Sequence, residues 1–213
     1  MNSKEKISHI LNSILKAETQ QSKLDFKTLN LEGFSSYKIR HFLNNLLEIP
    51  NTNYLEVGTF KGSTFAAALY KNNINDAYAI DNFTEFEEYG EIKKDFLRAT
   101  KDFKFTFLEE DCFSLDLNKI KNKINIYLYD GRHLYEDQYK ALEYFYPILE
   151  DEFIFLVDDF DPYDENWEVV EKGTRDAIKD LKLKTLFQMH LKSTGRNAMD
   201  SWWNGYYVSI LKK

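Results

Sequence analysis

Apolar and polar positions follow two rhythms along the chain, and the change falls near residue 51. In residues 3–16, Ile7, Ile10, Leu11, Ile14 and Leu15 recur at the spacing of an amphipathic helix. Residues 17–35 are polar and mixed, which predicts a linker or loop. Residues 36–48 return to helical spacing with Ile39, Phe42, Leu43, Leu46 and Leu47, and Pro50 stops the pattern. Residues 1–50 therefore read as a helical N-terminal extension, serving as a lid or as the contact of a homo-oligomer.

From residue 52 short apolar runs alternate with amphipathic segments. The strand-like runs are Tyr54–Val57, Ala77–Ile80, Phe103–Leu108, Ile124–Tyr129 and Phe153–Val157. The segments between and after them, 63–71, 85–100, 135–149 and 165–181, have helical spacing. Near-continuous apolar strands separated by helices predict an α/β domain over 51–213, with a parallel sheet covered on both faces. Two last strand candidates, 183–191 and 205–211, lie either side of a loop and suit an antiparallel edge pair.

Composition narrows the function. The chain of 213 residues carries 28 basic and 35 acidic side chains, a net charge of −7. That balance argues against nucleic acid as a partner, because phosphate binding needs a basic face. With 17 Phe and 14 Tyr, apolar area suffices for a sizeable core. The single cysteine, Cys112, excludes an intramolecular disulfide framework and a Cys-based zinc site. No apolar run approaches the length of a membrane span, and no cleavable leader is visible, so the expectation is a soluble cytoplasmic protein without a membrane partner.

In an open parallel sheet, ligands bind beyond the carboxyl ends of the strands. After the first strand come Gly58-Thr59-Phe60-Lys61-Gly62-Ser63-Thr64 and then a helix. The G-x-x-x-G spacing is not the G-x-G-x-x-G of dinucleotide binders, and Lys61 precedes Gly62, so this is not a phosphate-cradling P-loop. After the second strand comes Asp81, placed to accept hydrogen bonds from ribose hydroxyls. After the third come Glu110-Asp111-Cys112-Phe113, where an acid can meet an adenine amine while Phe113 packs on the ring. Together these residues outline a nucleoside pocket.

The fourth strand is followed by Asp130-Gly131-Arg132-His133 and the fifth by Asp158-Asp159-Phe160. Neighbouring strands would crowd Asp130, Asp158 and Asp159 into one corner. At ~4 Å and an effective dielectric near 20, each like pair repels by roughly 4 kcal/mol. A hard divalent cation such as Mg²⁺ would offset that; the alternative is that Asp159 turns away to cap the next helix. His133, with an ordinary pKa of about 6.5, suits a general base beside such a site. His9, His41 and His190 lie off the strand ends.

Leu55-Glu56-Val57-Gly58-Thr59-Phe60-Lys61-Gly62-Ser63-Thr64 resembles the first motif of the class I methyltransferases that use S-adenosyl-L-methionine (SAM), with Glu56 as its acidic lead. Asp130-Gly131-Arg132-His133-Leu134-Tyr135 with Asp158-Asp159 is similar to the metal-dependent sugar O-methyltransferases of the macrocin and mycinamicin kind, and to catechol-type enzymes. The resemblance covers roughly residues 50–165. It implies a Rossmann-like fold with a mostly parallel seven-stranded sheet, helices on both faces and an antiparallel C-terminal strand. By it, Glu56, Gly58, Thr59, Gly62 and Ser63 would surround the methionine end of SAM. Asp81 would hold the ribose, and Asp111, Cys112 and Phe113 the adenine. Asp130, beside the cofactor, would ligate Mg²⁺ with Asp158 and Asp159, and His133 would be the base. Some sugar-tailoring relatives carry an acid where this chain has Arg132, which moves the base to His133.

The implied activity is methyl transfer to a hydroxyl of a small molecule: a sugar, a natural product or a catechol-like diol. Trp167, Trp202 and Trp203 could stack on such an acceptor or belong to the core. The competing readings are a nicotinamide-dependent oxidoreductase, disfavoured by the absent G-x-G-x-x-G, and a non-catalytic SAM-binding or interaction protein.

Overall fold

The computed structural model describes residues 1–86, 90–161, 168–195 and 198–213. Seven strands form one sheet: β1 (Thr52–Val57), β2 (Ile74–Ile80), β3 (Thr106–Leu108), β4 (Ile124–Tyr129), β5 (Leu149–Val157), β6 (Lys184–Leu191) and β7 (Tyr206–Lys212). Their order is β3-β2-β1-β4-β5-β7-β6. The first five pair in parallel, and β7 runs antiparallel to both β5 and β6. This is the expected α/β sheet, and the last two strands form the expected antiparallel pair at one end of it. Within that pair β7 lies between β5 and β6, and six of its seven residues are buried.

Helices cover both faces because the strands are apolar on both. On one side lie α1 (Ser3–Glu18), α3 (Tyr37–Leu46), α4 (Ser63–Leu69) and α5 (Ile92–Thr100), which bury Ile10, Phe42, Phe65 and Phe96 against Tyr54, Ile126 and Leu156. On the other lie α6 (Tyr135–Phe145) and α7 (Glu168–Asp180), burying Leu142, Phe145 and Ala177 against Tyr127 and Phe155. The N-terminal helices thus share one continuous core with the sheet. Asn2 and Glu5 form a capping box that starts α1.

Several boundaries differ from the apolar pattern for identifiable reasons. The segment 17–35 contains a single helical turn, α2 (Phe26–Leu29), started by Asp25 accepting from the Thr28 N–H at 2.8 Å. The helix expected over 85–100 is described from Ile92 to Thr100, and residues 87–89 of that segment lie outside the described residues. The helix expected to reach 149 ends at Phe145; Pro147 allows one 3₁₀ turn (Tyr146–Ile148) before β5 begins at Leu149. Residues 103–105, expected in β3, lie in the turn after α5, and only Thr106–Leu108 pair with β2. The start of the helix expected from 165, with Trp167, lies outside the described residues. Among the described residues no helix is long and apolar enough to cross a membrane.

Candidate active site

A cavity of about 680 Å³ opens at the carboxyl ends of the parallel strands. It has the size of a small-molecule site. From the loop after β1 it takes Gly58, Thr59 and Ser63; from the end of β2, Asp81; and from the loop after β3, Asp111, Cys112 and Phe113. Asp130 and His133 follow β4, and Asp158 and Asp159 follow β5. Gly58 has φ +85°, and a Cβ there would stand 1.8 Å from the Asp130 carbonyl oxygen, so the two loops touch through a position only glycine fills.

Two residues of the first motif do not line this cavity. Glu56 is completely buried beneath the loop. Its Oε2 accepts from the Tyr54 hydroxyl and its Oε1 from Thr64 Oγ1, each at 2.6 Å. Burial pushes its carboxyl up to about 7. Gly62 lies behind the wall, where its left-handed backbone starts α4. Asp81 is a lining residue and also a brace: Oδ2 accepts from the Phe60 N–H and Oδ1 from the Phe83 N–H, both at 2.8 Å. Burial raises its carboxyl. The Cys112 thiol is pushed up to about 12 by burial and by Asp111, so it stays neutral.

Asp130, Asp158 and Asp159 all line the cavity, at the ends of two neighbouring strands. Leu128 and Tyr129 of β4 stand opposite Leu156 and Val157 of β5, so the next residues, Asp130 and Asp158, are neighbours. Burial first, and then the charge of Asp159, pushes both carboxyls well above the ordinary range; the charge of Asp158 adds to the rise at Asp130, while a hydrogen bond with Asp130 works the other way at Asp158. Asp158 is only 3% exposed, and its Oδ1 has no hydrogen-bond partner. Asp159 holds a left-handed backbone at φ 52°. His133 Nε2 lies 3.3 Å from Asp159 Oδ2 and 4.0 Å from Asp130 Oδ1.

Residues 55–160 match a family model described as a methyltransferase domain. The sheet order with its single antiparallel strand agrees. The chain carries a methyltransferase domain. No curated protein matches its sequence significantly. Its fold is similar to an O-methyltransferase from Bacillus cereus solved in complex with SAH (14% identity, covering 95% of this chain and 90% of that one, TM-score 0.62). It is likewise similar to the O-methyltransferase TomG from Streptomyces achromogenes, involved in tomaymycin synthesis and solved with SAM (13% identity, 96% and 90% covered, TM-score 0.57).

The sequence pattern does not reveal how far the N-terminal segment enters the methyltransferase site. Residues 32–35 dock along the loop after β1. Glu32 pairs with Lys61, Gly33 abuts Ser63, Phe34 stacks on Phe60 with centroids 4.8 Å apart, and Ser35 Oγ lies 3.4 Å from Ser63 Oγ. The segment is held from behind by Arg40, which is 1% exposed. Its guanidinium donates to the carbonyls of Leu29, Leu31 and Gly33 and to Ser35 Oγ. Burial lowers it to about 10. Phe86 meets Phe34 and Phe60 edge-on, and the three rings line one side of the cavity. Phe60, Phe83, Phe86, Asp159 and Asn204 all have left-handed φ and all line the cavity. Such strain persists where surrounding structure enforces it, and it gathers at functional sites.

Arg132 pairs with Glu85 across the cavity rim. Trp203 lines the cavity. Trp202 does not: it is buried against Phe42, and its Nε1 donates to Glu18 at 2.7 Å.

Proposed function

We propose that this methyltransferase moves the methyl group of SAM to a hydroxyl oxygen of a small molecule, at a site completed by a divalent cation such as Mg²⁺. The observation that carries the reading is the buried pair of acids Asp130 and Asp158 in the wall of the cavity, with Asp158 Oδ1 unpartnered. Among the described residues no three such groups already surround one point. The fit is therefore one of donor chemistry and charge: three carboxylates suit a hard cation, which would relieve their repulsion. The O-methyltransferase names of the two structural neighbours favour oxygen as the acceptor atom. The enclosed cavity and the net charge of −7 favour a small molecule over nucleic acid.

On this reading Gly58, Thr59 and Ser63 lie along the methionine end of SAM, Asp81 takes the ribose hydroxyls, and Asp111, Cys112 and Phe113 surround the adenine. Asp130, Asp158 and Asp159 would hold the cation, whose chemistry there would be to lower the pKa of the acceptor hydroxyl and fix its orientation. His133 removes the hydroxyl proton at Nε2. The oxygen forms its bond to the methyl carbon as the carbon–sulfur bond breaks, leaving a neutral thioether. Asp159 beside His133 stabilises the imidazolium that results.

Calorimetry with SAM, SAH and NAD⁺, with and without Mg²⁺, tests the reading. SAM and SAH should bind with Kd below about 100 μM. NAD⁺ binding in their place would support an oxidoreductase and overturn the proposal. Asp130→Asn and Asp158→Asn should abolish Mg²⁺-dependent turnover and retain SAM. Turnover that survives EDTA would remove the cation.

A further inference from the structure

The pairing of β5 with β7 brings one more residue to the acid corner. Leu156 stands opposite Val208 and Val157 opposite Tyr207. One step further along this antiparallel register sets Asp158 opposite Tyr206, and paired positions send their side chains out of the same face. That face carries Leu156, Tyr206, Val208 and Ile210 into the core with the N-terminal helices. Asp130 flanks Asp158 on its other side through the β4–β5 register. Asp158 thus stands in a row between a second carboxylate and a phenol.

Asp158 and Tyr206 are both buried, at 3% and 0% exposure. The Tyr206 hydroxyl and Asp158 Oδ1 each lack a hydrogen-bond partner. An unmade bond of this kind costs roughly 1–3 kcal/mol. The Tyr206 ring packs edge-on against Phe42 at 5.8 Å, a contact a phenylalanine would make equally well. Packing therefore accounts for the ring and leaves the hydroxyl unexplained. Burial and the nearby acids keep that hydroxyl protonated, so it can act as a donor.

We propose that Tyr206 is a positioning residue whose hydroxyl donates to the ionised Asp158 carboxylate and orients it toward a divalent cation. The inference rests on the cation reading given above. A donor fixed on one oxygen of a ligating carboxylate sets the direction in which the carboxylate faces a metal. Partners one shell out from a metal commonly alter its affinity by about 10–100-fold.

The test is calorimetric titration of the full chain with Mg²⁺ and Mn²⁺. Tyr206→Phe should weaken cation binding by about tenfold while leaving SAM affinity within about twofold. Its melting temperature should not fall, because the variant deletes an unpartnered buried hydroxyl. Tyr206→Met, which also keeps apolar volume, serves as a second probe. Phe42→Leu disturbs the same packing without touching the hydroxyl and should leave cation affinity unchanged. Cation affinity in Tyr206→Phe within about twofold of the parent would overturn the assignment, as would an equal loss in Phe42→Leu. A parent protein that binds neither cation would instead remove the cation reading itself, and Tyr206 with it.

Discussion

Gly33 lies so close to Ser63 that a Cβ on the glycine would fall 2.1 Å from the serine Oγ and 2.8 Å from its Cβ. This contact seats the N-terminal segment on the loop that opens the cavity. Gly33→Ala must push the two apart, and overpacking of this kind costs about 1–3 kcal/mol. Urea denaturation should show that loss, and SAM affinity should fall with it. A variant that loses stability yet binds SAM like the parent would show that the docked segment does not shape the cofactor site.

Arg40 holds the same segment by bonds to three carbonyls and to Ser35 Oγ. Arg40→Met keeps the apolar stem and removes the donors to the carbonyls of Leu29, Leu31 and Gly33. Leaving such acceptors unpaired, even partly rehydrated, should destabilise the protein by roughly 2–4 kcal/mol. Arg40→Lys should recover only part of this, since an ammonium cannot span the fork of carbonyls. The ordering parent, Lys, Met in unfolding free energy checks the account.

These two residues also mark where the sequence stops being readable. The five parallel strands and their rim are legible because apolar runs alternate with helical spacing and because chemistry gathers at strand ends. Asp81, Asp130, His133, Asp158 and Asp159 all reach the cavity as their places after the strands imply. Residues 29–35 have no period, and what shapes them is one buried guanidinium acting on carbonyls, which no side-chain pattern encodes. Glu56 reads as a ligand by position, yet Tyr54 and Thr64, two and eight residues away, take both its oxygens. The row Asp130–Asp158–Tyr206 needs β7 inserted beside β5, and the apolar run at 205–211 suits an edge or an interior place equally.

Glu56 gives the fold a pH dependence of known sign. Its carboxyl is raised from 4.5 to about 7 in the folded protein. Between these values the folded state holds a proton that the unfolded state has lost, so this group's contribution to stability falls as pH rises from about 4.5 to about 7 and is level above. Glu56→Gln cannot ionise. Relative to the parent it should gain up to about 3 kcal/mol between pH 5 and pH 8. Denaturant titrations of both proteins across that range measure the difference, which isolates Glu56 from the other raised carboxyls. A difference independent of pH would mean that Glu56 is not the group titrating.

His133 lies within reach of Asp159 and faces the cavity where the acceptor oxygen would sit. As the proton acceptor, its loss should reduce kcat by about 10²–10⁴-fold. Binding should survive, because the residues proposed to hold SAM lie on the loops after β1, β2 and β3. His133→Ala is therefore expected to bind SAM like the parent while turning over slowly. Asp159→Asn should have a milder effect on the base, since it removes the charge that stabilises the imidazolium but leaves the imidazole in place. Equal rates for His133→Ala and the parent across pH 6–9 would assign the proton to another group.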